Sequence, residues 1–223
     1  KGNPSATKRF ACFATSPKNT YRGLHNTDPF IFGEFFICSN CGQLVRNKRG
    51  LKHLDVGSVI AFGSGQMIHN ERMWVLDTVF VVADSIRYDP LNPREALDGK
   101  VPESFLNVTG GPLAEDPQLK ERTNTGESQE FRLYRGAMLN DPVDGMFSFF
   151  PAISAGGDAS FPRPVVFLDD RYFNPGSWQA PKGAGRHLTR GTIRDLWDSL
   201  VVQVREAGLA LGTHAEMPER RFG

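Results

Sequence analysis

Three groupings of reactive side chains stand out in the chain. The first is Cys38-Ser39-Asn40-Cys41. Two thiolates at this spacing reach one tetrahedral metal, which makes half of a zinc site. Cys12 is a third ligand candidate, and His25, His53 and His69 could supply a fourth. No second Cys-x-x-Cys exists, so two reduced thiols at a strand end remain the plainer reading. The second grouping is Tyr21, Arg22, His25, Asn26, Thr27 and Asp28, which precede a hydrophobic run. His25 suits a general acid or base. Asp28 would pair with Arg22 or hold the amino group of a base. The same residues also suit a turn whose side chains bond to their own backbone. The third grouping is a pair of acids inside apolar runs: Glu34 in FIFGEFFI and Asp77 in WVLDTVFVV. A carboxylate buried among phenylalanines has a raised pKa. It would donate a proton, or accept from the Watson–Crick edge of a base. The competing reading of Glu34 is an edge-strand residue turned to water. One shared pocket would account for both acids.

Aromatic and cationic groups could complete such a pocket. Phe32 lies beside Glu34, and GMFSFFPA places Phe147, Phe149 and Phe150 around Ser148. Such rings stack on single-stranded or flipped bases, although most are expected in the core. Arg132 and Arg135 fall on opposite faces of one strand, so one of them reaches a phosphate while the other is surface charge. The candidate acid/base set is therefore Glu34, His25 and Asp28. The nucleotide-holding set is Arg22, Phe32, Asp77, Arg135 and Phe149. The metal set is Cys38, Cys41 and Cys12, with zinc as the cofactor. The chain has no Walker loop, no G-x-S-x-G, no H-E-x-x-H and no deaminase-type H-x-E with paired cysteines.

Strands must position these groups. FIFGEFFI (30–37) reads as one strand, with Phe30, Phe32, Glu34 and Phe36 on one face. DVGSVIAFGSG (55–65) and ERMWVLDTVFVVADS (71–85) read as a hairpin joined by the loop GSGQMIHN. In the second strand Trp74, Leu76, Thr78, Phe80 and Val82 alternate with Val75, Asp77, Val79 and Val81. Residues 86–127 are rich in Pro, Gly and Asn. They read as an insertion or lid, or as a structured crossover with short helices near 102–107 and 115–121. Further strands are expected at RFACFA (9–14), 130–138, 145–153 and 163–168, and a closing strand after 208. The 192–208 stretch repeats apolar residues at three and four (Ile193, Leu196, Trp197, Leu200, Val201, Val204), the signature of an amphipathic helix. Thr192 is the expected cap, and Gly208 the stop. The fold class is α+β: a mostly antiparallel curled sheet or small β-barrel, with the C-terminal helix packed on it, in a single domain over 1–223.

Bulk composition narrows the partners. The chain has 26 basic and 25 acidic residues, a formal charge of +1. That argues against coating duplex DNA by charge and leaves room for reading one nucleotide. No apolar run is long enough to span a membrane. Three cysteines and no apolar leader at the start point to a reducing cytoplasm. Nothing in the sequence sets an oligomeric state.

The order GSVIAFGS…WVLDTVFVVAD resembles the core hairpin of the PUA-like superfamily, which includes ASCH, EVE and YTH modules. The resemblance covers roughly a third of the chain and is one of pattern. It implies binding of RNA or of modified bases in nucleic acid. The expected function is recognition of a modified or unpaired nucleobase through an aromatic pocket with acidic readers. A base-modifying enzyme or hydrolase in the same pocket is the alternative, with Glu34 or His25 as acid/base and Cys38 or Cys41 as nucleophile or metal ligand.

Overall fold

A computed structural model describes residues 29–39, 51, 53–69, 71–124, 130–153, 161–169, 172 and 189–216. Its spine is a single long strand. β1 is Ile37–Cys38, β2 Val59–Ile68 and β3 Glu71–Tyr88. β4 is Phe131–Gly136, β5 Phe150–Ala152, β6 Val165–Val166 and β7 Ala210–Gly212. β2 pairs antiparallel with β3 along one edge, from Val59–Val81 to Ile68–Glu71. The other edge of β3 takes β6 at Trp74 and Val75, a bridge from Phe149 at Val79, and β4 from Val82 onward. β1 lies outside β4, giving the order β1-β4-β3-β2. β5 and β7 form a separate two-stranded sheet. The architecture is α+β and mostly antiparallel, and the sheet does not close into a barrel.

Two departures from regular pairing in β3 matter. The register passes from Phe62–Thr78 to Gly63–Leu76, so Asp77 is the extra residue of a β-bulge. A second irregularity falls between Val82 and Asp84. The first bulge flips the side-chain phase. Trp74 and Leu76 consequently share a core cluster with Val79 and Val81, whereas Phe80 and Val82 face another. The regular alternation expected through Asp77 is broken at that residue. The expected loop at 63–70 is also mostly strand, because β2 continues to Ile68. Glycine occurs there because the ribbon is tight: a Cβ on Gly63 would collide with the Val75 carbonyl oxygen and the Trp74 indole.

The helices cover two regions. α1 (Pro93–Ala96), α2 (Glu103–Phe105), a π-helical turn (Leu106–Gly110), α3 (Gly111–Ala114) and α4 (Pro117–Asn124) follow β3. Their Leu97, Phe105, Leu106, Leu113 and Leu119 bury against Phe30, Ile37, Tyr88, Phe131 and Leu133 of the strands. Short helices thus occur at both places where they were expected. α5 (Arg190–Glu206) packs its Trp197, Leu200, Val201 and Val204 onto Leu76, Val79, Val81 and Phe149. Its cap is Thr189, whose hydroxyl accepts from the Thr192 N–H at 3.2 Å, one turn before the residue expected. Gly208, at φ +75°, ends it. The Trp197 indole N–H donates to the Phe147 carbonyl at 3.0 Å, tying α5 to the segment before β5. The strand expected at 9–14 lies outside the described residues. No described helix is long and apolar enough to cross a membrane.

Candidate functional site

The run FIFGEFFI is a hairpin, where one strand was expected. Phe30 and Ile37 exchange both backbone hydrogen bonds at 2.8 Å, so the chain reverses between them. Gly33, at φ +66°, makes the turn possible, a conformation a side chain at this position would resist. The Gly33 N–H donates to the Ala215 carbonyl at 2.8 Å, which fastens the tip to the C-terminal segment. The base is held by burial. Phe30, Phe36 and Ile37 are each at most 2% exposed. Phe32 sits edge-on to Phe30 at 5.3 Å, and Phe36 stacks on Phe150 at 6.4 Å. At the tip, Glu34 is exposed and Phe35 is 39% exposed.

Glu34 is therefore not buried among rings. The turn swings it outward, and the reading of a water-facing Glu holds. Asp77 has a different fate. Bulged out of β3, it pairs with Arg163, whose Nη2 also donates at 3.1 Å to the Asp77 Oδ2 and the Ser64 hydroxyl. Asp77 is committed to anchoring the segment that leads into β6. Glu34 sits at the hairpin tip and Asp77 at the β3 bulge, each with its own surroundings. Among the described residues, Glu34 is exposed and Asp77 is paired with Arg163, so neither is the buried acid expected to line a shared pocket.

Arg135 stands at the foot of the hairpin. It lies opposite Ile37 on β1 and Asp84 on β3. Its guanidinium forms an ion pair with Asp84, with the two side chains 45% and 46% exposed. The Arg135 hydrogen bond holds the Asp84 carboxyl below its usual range, against a smaller opposing effect of burial. Next along β4, the Gly136 N–H donates to the Phe36 carbonyl at 2.8 Å. A Cβ at Gly136 would lie 2.6 Å from both Phe36 Cβ and Ser148 Oγ, so glycine permits the close seat of the hairpin on β4.

Phe149 is fully buried and edge-on to Trp197 at 6.2 Å. It is a core residue with no face left for a base, and so not the stacking ring expected. Phe32 is half-buried and belongs to the packing beneath the hairpin. Cys38 is buried on β1, paired in register with Tyr134. Cys12 and Cys41 lie outside the described residues, as do Arg22, His25 and Asp28. No group of three or more His, Cys, Asp or Glu that could hold a metal occurs among the described residues. The enzymatic alternative takes Glu34 or His25 as acid/base and Cys38 or Cys41 as nucleophile or metal ligand; of these, Glu34 is exposed, Cys38 is buried, and His25 and Cys41 lie outside the described residues. Phe35 and Asp84 were missed in the sequence. The signal for Phe35 was the glycine: a Gly-Glu step inside an aromatic run marks a turn tip, which exposes the residues beside it. Asp84 carries no such local sign.

No protein-family model, no curated protein and no solved structure matches the chain. The geometry of the hairpin carries the functional reading.

Proposed function

We propose that the protein recognises a nucleobase, modified or unpaired, in single-stranded or locally opened nucleic acid, with hairpin 30–37 as the reading element. The supporting observation is one of placement. Glu34 and Phe35 are adjacent and exposed on a hairpin anchored at its base and its tip, and Arg135 stands opposite Ile37 at its foot. A base that has left its stack needs a ring to lie on, a partner for its edge and a cation for its phosphate. Phe35 offers the ring. Glu34 offers an acceptor for exocyclic amino groups. Arg135, released from Asp84, offers the cation. A formal charge of +1 suits capture of a single nucleotide better than coating of a duplex. The resemblance of the β2–β3 hairpin to PUA-like modules belongs to the same proposal.

Fluorescence anisotropy with single-stranded and duplex oligonucleotides at low salt tests the reading. The single strand should bind more tightly. Phe35→Ala should weaken binding by roughly five- to a hundredfold, the equivalent of one lost stacking contact. Arg135→Ala should weaken binding and flatten its dependence on salt by about one phosphate contact. Both side chains are exposed enough for the fold to survive these changes. Absence of single-strand binding at low salt would remove the proposal.

A further inference from the structure

β2 is the outermost strand of its sheet, and among the described residues it pairs with β3 alone. Its free edge can be mapped group by group. Residues facing each other in an antiparallel pair either exchange both backbone hydrogen bonds or none. Val79 exchanges both of its bonds with Phe149, at 2.8 and 2.9 Å, on the far side of β3. Leu76 gives its N–H to Pro164 on that same side, at 2.9 Å. Their partners on β2, Ala61 and Gly63, therefore point their own N–H and C=O groups away from β3. The alternation of the strand adds Val59, Gly65 and Met67 to this outward row. The bulge at Asp77 lies in β3, so β2 keeps a regular backbone over its 10 residues.

Edges of this kind are normally blunted with lysine, proline or bulges. β2 reads VIAFGSGQMI, with no charge and no proline. Within it, near one end, Met67 is an exposed apolar side chain at 60%, and Val56, three residues before the strand, is 58% exposed.

We propose that the β2 edge pairs antiparallel with the same edge of a second copy of the chain, about a two-fold axis near Ser64, joining two sheets into one. Self-pairing suits this edge for two reasons. With no charge on the strand, no like charges meet at any register. An antiparallel two-fold also brings the exposed Met67 of each strand opposite Ala61 of its mate, so this apolar contact is made twice. With the axis at Ser64, Ala61 faces Met67 and Gly63 faces Gly65. All four belong to the outward row, so the ladder closes without a register fault.

Sedimentation velocity on the full chain, up to roughly 0.1 mM, tests this. The wild type should show a species of twice the chain mass. Met67→Pro removes an outward donor and leaves the β3 ladder intact, so it should weaken association by about tenfold or more. Met67→Lys places a charge on an exposed side chain, and it should do the same with an unchanged circular dichroism spectrum. It decides the matter should the proline variant misfold. Amide exchange at Ala61, Gly63 and Gly65 should slow as concentration rises. A wild type that stays monomeric, or a dimer that survives in Met67→Lys, overturns the proposal.

Discussion

Replacing Ser148 with alanine should cost more stability than its size suggests. Ser148 is fully buried behind β3. Its hydroxyl accepts from the Val81 N–H at 2.9 Å and approaches the Val81 carbonyl at 3.3 Å. Val81 sits just before the second irregularity of β3, where β4 has not yet taken over the edge. The serine side chain thus fills a gap in the ladder. Alanine leaves the Val81 N–H buried without that acceptor, and orphaning a buried donor costs about 1–3 kcal/mol. A chain of this length shifts in melting temperature by roughly 2–4 °C per kcal/mol, so the variant should melt several degrees lower. Urea unfolding should show a lower midpoint with an unchanged slope. The Val81 amide should also exchange faster in the native state. A loss under about 0.5 kcal/mol, the scale of an ordinary surface change, would refute the assigned role.

Three further outcomes follow from other packing and charge contacts. Gly63→Ala drives a methyl group into the Val75 carbonyl and the Trp74 indole; it should cost about 1–3 kcal/mol in thermal or urea unfolding. Tyr134 donates to the Leu51 carbonyl at 2.8 Å and accepts from the Leu54 N–H at 3.3 Å, and burial raises its pKa above the ordinary tyrosine value. Its contribution is whole below about pH 10 and is lost as the pH climbs through the raised folded value, so Tyr134→Phe should lose about 1 kcal/mol at neutral pH and flatten the alkaline limb of the stability curve. Asp84 is held low chiefly by the Arg135 hydrogen bond, so its contribution is present above the ordinary Asp value of about 3.9 and is lost as the pH falls through the depressed folded value. Solvent screens this half-exposed pair, so Asp84→Asn should change neutral-pH stability by at most about 1 kcal/mol. By releasing Arg135, the same change should tighten oligonucleotide binding and steepen its salt dependence in anisotropy titrations.

The elements that were legible in the sequence are those set by repeating patterns. The apolar spacing from Ile193 to Val204 could be satisfied by one helix face alone, and α5 buries that face. The alternation from Trp74 to Val82 marked β3, because so apolar a run needs cover on both sides. The misses come from single residues that interrupt a pattern. Asp77 was read as a member of its strand, but a bulge lets an acid leave the core and reach Arg163 nearly ninety positions away, which no local pattern encodes. Gly33 was read as part of a strand, but its positive φ turns FIFGEFFI back on itself and sends Glu34 to water. Gly63 and Gly65 were read as loop. They are strand residues, and Gly63 is small because Trp74 presses on it. The site shares this limit. Arg135 was legible as an arginine on a strand, but its place beside the hairpin depends on β1–β4 register, a long-range pairing.

A nitrogen-15 NMR titration with a short single-stranded oligonucleotide tests the reading hairpin most directly. The proposal predicts shift changes concentrated at Gly33, Glu34, Phe35 and Arg135, diminished in Phe35→Ala. Saturating oligonucleotide that leaves these amides unmoved, or that perturbs a different face of the sheet, would contradict it.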